Sequence, residues 1–171
     1  MGFFSKKTPE EKAQKKEKSV IFVGETLQAI GKISTGKCVG LSLKPTEQVL
    51  NIHHDKIDIT LPYNRLRGFK LVDEVTLAKS GSGLGGAIVG GVLFGGVGAI
   101  IGQNSKKGKT NVKWIGTLSY EDKEGNFKDL SFIQWGITGH YEGSTKHYGA
   151  EQFENTINEI VSRYMDNITE L

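Results

Sequence analysis

A mainly β fold, an antiparallel array of about seven strands closed by one amphipathic helix, follows from three features of the sequence. Short stretches that alternate apolar and polar residues, bounded by Gly, Pro, Asn or Asp, recur on both sides of a central apolar segment. The carboxy-terminal stretch instead repeats its apolar residues at helical spacing. The central segment runs from Gly81 to Gly102, GSGLGGAIVGGVLFGGVGAIIG, and carries no charge.

Residues 1–18 form a basic arm. MGFF is apolar, KKTPEEKAQKKEK is not, and Pro9 suits the start of a short helix. Lys6, Lys7, Lys12, Lys15, Lys16 and Lys18 against Glu10, Glu11 and Glu17 account for the whole formal charge of +3, so the rest of the chain balances. Such an arm suits anionic headgroups or stands as a solvated, frayed tail.

Residues 19–171 form the folded domain. Val20, Ile21, Phe22 and Val23 are strand-like up to Gly24, and a short link follows to Gly36. Val39, Leu41 and Leu43 then alternate with Gly40 and Ser42, the period of a half-buried strand. KPTEQ turns into a strand over residues 49–53, and His54-Asp55-Lys56 turns again into Ile57, Ile59 and Leu61, a meander ended by Pro62. A further strand spans residues 65–77. Beyond the central segment and the polar exit QNSKKGKT, Val112, Trp114, Leu118 and Tyr120 share a face, KEGN turns, and residues 127–135 return. The strands divide about five before the central segment and two after it.

A polar, glycine-punctuated loop precedes the last element. There Phe153, Ile157, Ile160, Val161, Tyr164, Ile168 and Leu171 make one apolar helical stripe, opposite Glu154, Asn155, Ser162, Asp166 and Asn167. Antiparallel strands closed by one carboxy-terminal helix is the plan of a pleckstrin-homology-like barrel, with the helix in an open end.

Written as a helix, the central segment stacks small residues along two ridges four positions apart. Gly83, Ala87, Gly91, Gly95 and Ala99 make one; Ser82, Gly86, Gly90, Gly98 and Gly102, interrupted by Phe94, make the other. The remaining ridges are aliphatic. This is a glycine zipper, whose small-xxx-small spacing lets helices approach closely in lipid. Each glycine costs roughly 0.8–1 kcal/mol relative to alanine in a helix, so the segment needs lipid or a close-packed partner to be helical. A flexible glycine-rich loop is the competing reading, and Ser would serve it better than Ile, Val and Phe. The residues expected to carry membrane insertion or self-association are Gly83, Gly86, Ala87, Gly90, Gly91, Gly95, Gly98, Ala99 and Gly102. Lys79 on one flank and Lys106, Lys107 and Lys109 on the other are candidate headgroup contacts.

The chain resembles a family of small bacterial and phage proteins in which a pleckstrin-homology or GRAM-like domain is interrupted by a glycine zipper. The resemblance covers roughly residues 19–171 and rests on KCVGLSL, VLNIHHDKIDITLPYNRLRGFKL, GGAIVGGVLFGGVGAIIG, WIGTLSYEDKEGN and the final helix. It implies a membrane or scaffold role and transfers no catalytic residue. Lipid-binding members of the wider fold cluster basic residues in the first strand loop, where this chain offers only Lys32 and Lys37.

No residue set amounts to a catalytic site, and neither a cofactor nor a metal is expected. Gly81-x-Gly83-x-x-Gly86 matches a dinucleotide fingerprint in letters but lacks the following strand and acid. Gly108-Lys109-Thr110 has no glycine at P-loop spacing. His53 and His54 point to opposite faces of a strand, and no acidic or thiol cluster joins His140 or His147. The loop GHYEGSTKHYG repeats His-Tyr at His140-Tyr141 and His147-Tyr148 and is a candidate partner-binding loop. Trp114 and Trp135 suit a core better than a stacking platform, so nucleic acid is not an expected partner.

The lone Cys38 excludes an internal disulfide, which fits a reducing cytoplasm, and Met1 to Phe4 is too short for a signal-peptide core. The expectation is a non-enzymatic adaptor or scaffold at the cytoplasmic face of a membrane, binding lipid and forming homo-oligomers. The alternative is a soluble module that sequesters a protein or small ligand, as in phage-host conflict. Because strands flank the zipper on both sides within one sheet, both its ends are expected on the same side of any membrane, with a bend near Phe94 to Gly96.

Overall fold

The computed structural model describes residues 8–18, 20–73, 114–134 and 148–169. The chain opens with helix α1 (Pro9–Lys18), followed by strands β1 (Ile21–Thr26), β2 (Cys38–Lys44), β3 (Val49–His54) and β4 (Ile57–Pro62). A 3-10 turn (Tyr63–Arg65) leads to β5 (Leu66–Asp73); then come β6 (Trp114–Glu121), β7 (Phe127–Gln134) and helix α2 (Tyr148–Thr169). Among the described residues, five strands precede the glycine-rich segment and two follow it, as the alternation predicts.

The strands form one antiparallel sheet in the order β4-β3-β2-β1-β7-β6-β5. Its edges, β4 and β5, are not paired with each other, so the sheet is open. They are nevertheless joined by only the three residues of the 3-10 turn. In a flat sheet they would stand roughly 29 Å apart, whereas that link reaches at most about 14 Å. The sheet therefore curls until the end of β4 meets the start of β5. Its concave face holds the core, and α2 packs across it against β5 and β1.

The centre of the core is a cluster of phenylalanines from four distant elements. Phe22 of β1 meets Phe69 of β5 at 5.1 Å, Phe132 of β7 at 6.1 Å and Phe153 of α2 at 5.8 Å between ring centroids. Phe69 and Phe153 meet edge to face at 5.0 Å. Two strand glycines make the room. A Cβ on Gly116 would stand 2.6 Å from Phe69 Cζ and 2.9 Å from Phe22 Cζ, and one on Gly24 only 2.7 Å from Phe22 Cε1. Gly24 therefore does not end β1, as its residue type suggests, but lies within it.

The helical stripe reads as expected: Phe153, Ile157 and Ile160 are fully buried, and Val161 and Tyr164 pack beside them. Ile168 lies in α2 with its side chain outside the described residues, as does Leu171 altogether. The link between β1 and β2 contributes more than a connection. Ile30 and Ile33 bridge each other across a tight turn and are buried in the core.

The described part of the basic arm, residues 8–18, is not simply a solvated tail. Thr8 caps α1 by accepting from the Glu11 amide while the Glu11 carboxylate accepts from the Thr8 amide, a reciprocal capping box. The helix is then tied to α2, because Arg163 donates to the buried Glu17 carboxylate and Lys16 pairs with Glu159 at 3.2 Å. Glu154, expected on the solvent face of α2, is instead half-buried and accepts a hydrogen bond from the Leu71 amide at 3.1 Å. Asn155, Ser162 and Asp166 are exposed, as their positions on the helix require.

Candidate functional site

The register of the β5–β6 hairpin defines the site. Pairing runs from Leu66 opposite Tyr120, through a bulge at Gly68, to Asp73 opposite Trp114. These last two residues are ladder neighbours, with Cα atoms about 4.5–5.5 Å apart. Segment 74–113, which contains the glycine-rich stretch from Gly81 to Gly102, thus stands in sequence where a hairpin has its turn, between two residues that pair in the sheet. Trp114 packs against the core at that root, on the same face as Leu118 and Tyr120.

The convex face at the root is also apolar. Val72, Ile115 and Ile133 are partners across β5, β6 and β7, and Glu25 of β1 completes the row. Leu27 closes over Ile115 to form a second cluster, separate from the main core. Leu27 is held there because the chain after β1 straps β7: the Leu27 amide donates to the Ser131 carbonyl at 2.9 Å, and Gln28 Nε2 donates to the Asp129 carbonyl at 2.6 Å. Buried hydroxyls fill the next row, with Thr117 Oγ1 and Ser131 Oγ 3.1 Å apart.

The residues singled out from the sequence fall as follows. Gly83, Gly86, Ala87, Gly90, Gly91, Gly95, Gly98, Ala99 and Gly102, with Lys79, Lys106, Lys107 and Lys109, lie outside the described residues, as do His140, Tyr141, His147 and Trp135. Tyr148 is the first residue of α2, its side chain outside the description. No helix among the described residues is long and apolar enough to cross a membrane.

The two described histidines serve structure. His53 Nδ1 lies 3.0 Å from the Asp58 carboxylate, which also accepts from Asn51 Nδ2 at 2.8 Å. The Asn51 hydrogen bond, then that of His53, holds the Asp58 carboxyl below the usual carboxylate range. His54 Nδ1 lies 2.8 Å from the Cys38 carbonyl, on the other side of the strand. The Cys38 thiol is pushed up by burial and then by the Glu25 charge, away from the thiolate a nucleophile requires. Among the described residues no group of three or more His, Cys, Asp or Glu side chains is placed to hold a metal.

Sequence reasoning missed the polar groups that organise this end of the fold: Glu17 within the basic arm, and Glu154 and Asn158 on α2. The spacing Thr8-x-x-Glu11 marks the start of α1 but not its docking. Nothing local marks Asn158, whose partner lies in β5.

In comparison with known proteins, no protein-family model matches the chain and no curated protein matches it.

Proposed function

We propose that this chain is a non-enzymatic, membrane-associated and self-associating scaffold: a pleckstrin-homology-like domain whose β5–β6 turn has become a glycine-zipper membrane segment. The observation that carries it is the pairing of Asp73 with Trp114. A single crossing would part the two ends by about 30 Å of hydrocarbon, which ladder neighbours cannot do without tearing the sheet. The charge-free stretch then enters lipid and returns as a helical hairpin, or lies in the interface. Its small ridges pack arm on arm or on neighbouring copies, and flanking lysines stay with the headgroups on the domain's side. The pleckstrin-homology-like assignment draws support from the seven antiparallel strands, the curl that joins β4 to β5, and the helix across the concave face.

The topology is tested with cysteines at Ser82 and Ser105 in a Cys38→Ser background, in sealed vesicles exposed to an impermeant thiol reagent. Both positions are expected to label from one side. Labelling from opposite sides sinks the hairpin, and wholly soluble, monomeric protein in the absence of detergent sinks the membrane role itself.

A further inference from the structure

We infer that the outer corner formed by Ile21 and Val23 of β1, together with the outward lysines of α1, docks shallowly on an anionic bilayer and turns the domain so that segment 74–113 meets the lipid. This rests on the membrane reading above and adds to it a second, separate contact made by the folded domain.

Strand β1 sends Phe22 into the core and leaves Ile21 and Val23 on the convex side, 52% and 38% exposed. Their partners on β2 are Ser42 and Gly40, and the space beside Gly40 is empty where a side chain would stand. The two aliphatic groups therefore stand clear of their neighbours, unlike Val72, Ile115 and Ile133, which Leu27 shields.

Their place in the sheet gives the pair its meaning. Gly24 is opposite Gln134, Ile133 is opposite Ile115, and Trp114 is opposite Asp73. Val23 and Ile21 thus continue β1 past the row at which segment 74–113 departs, at the same end of those strands. This is the end of the sheet from which the segment departs.

Charge arrives at the same end. Lys18 closes α1 just before Ile21. Glu17 faces inward to Arg163, and at about 100° per residue Lys12 and Lys15 lie on the opposite, exposed side of the helix. A bilayer takes both features together, since one shallow apolar contact is marginal and a basic patch supplies the second attraction. Two aliphatic side chains are too few for a stable protein interface, which needs about 1,000 Å².

The test uses the full-length chain with Cys38→Ser and an environment-sensitive fluorophore on Val23→Cys, with Thr60→Cys on the exposed side of β4 as the reference. Vesicles of phosphatidylcholine with phosphatidylglycerol are expected to blue-shift the probe at position 23 and not at 60, and salt is expected to reverse the shift. In the unlabelled chain, Ile21→Glu with Val23→Glu should weaken vesicle partition at least tenfold with thermal unfolding unchanged, and each of Lys12→Gln and Lys15→Gln roughly fivefold. If vesicles bind while position 23 stays as wet as position 60, the docking surface is overturned and the membrane segment stands. If no vesicle binds, both fall. A blue shift without vesicles that grows with protein concentration gives the corner to a second copy and overturns the inference.

Discussion

Asn158 and Phe69 exchange two hydrogen bonds: the Phe69 amide donates to Asn158 Oδ1 at 3.1 Å, and Asn158 Nδ2 donates back to the Phe69 carbonyl at 3.1 Å. One turn earlier Glu154 accepts from the Leu71 amide. Two side chains of α2 thereby act as the missing neighbour strand of β5, closing an edge that would otherwise template association. Asn158→Ala leaves a backbone amide and carbonyl unsatisfied and should cost about 1–3 kcal/mol in urea unfolding. Asn155→Ala, on the exposed face, should stay within about 0.5 kcal/mol. Equal effects of the two would show that the edge is not held this way.

The glycines of the sheet should split into two kinds. Gly116→Ala drives a methyl group into Phe69 and Phe22 and is expected to lose about 1–3 kcal/mol. Gly40→Ala meets nothing and restricts the unfolded chain, so it should be neutral or stabilising by up to about 1 kcal/mol. Thermal unfolding of the two variants side by side checks the assignment.

Of the two ion pairs that dock α1 on α2, one joins a buried Glu17 to an Arg163 that is more than half exposed. Arg163→Ala strands the carboxylate and should destabilise by about 1–3 kcal/mol, whereas Lys15→Ala should change stability little. Arg163→Ala should also speed proteolysis at the lysines of α1. Unchanged cleavage would mean that the helix is not held by this pair.

Stability should fall at both ends of the pH scale. Asp58 and Asp122 are held below the usual carboxylate range, Asp58 first by Asn51 and Asp122 first by the Asn126 amide. Their contribution is present above the ordinary carboxyl value of about 4 and is lost as pH drops through the lowered values. Tyr63 and Tyr120 are pushed up, chiefly by burial. Folding therefore favours their neutral form, and the contribution is complete below about pH 10 and lost as pH rises above it. Urea titrations across pH should show the acid limb flattened by Asp58→Asn and the alkaline limb by Tyr63→Phe.

By itself the sequence determined what depends on near neighbours. Alternation at period two marked β2 through β4 and β6, and the spacing of Phe153, Ile157 and Ile160 marked the buried face of α2, because strand and helix set side-chain direction within a few residues. The excursion between two strands was legible in the same way, since nothing charged interrupts residues 81–102. Which strand lies beside which was not. Only the tertiary structure placed β1 against β7, set Asp73 opposite Trp114, and took Glu154 from a polar helix face to make it, with Asn158, the partner of an edge strand. It also made Gly24 and Gly116 space for phenylalanine rings, with Gly24 inside its strand rather than at the end, and gave the acid of a lysine-rich arm a buried place beside Arg163. In each case the deciding contact comes from residues far away along the chain, and no local pattern encodes the partner that removes a polar group or a void from water.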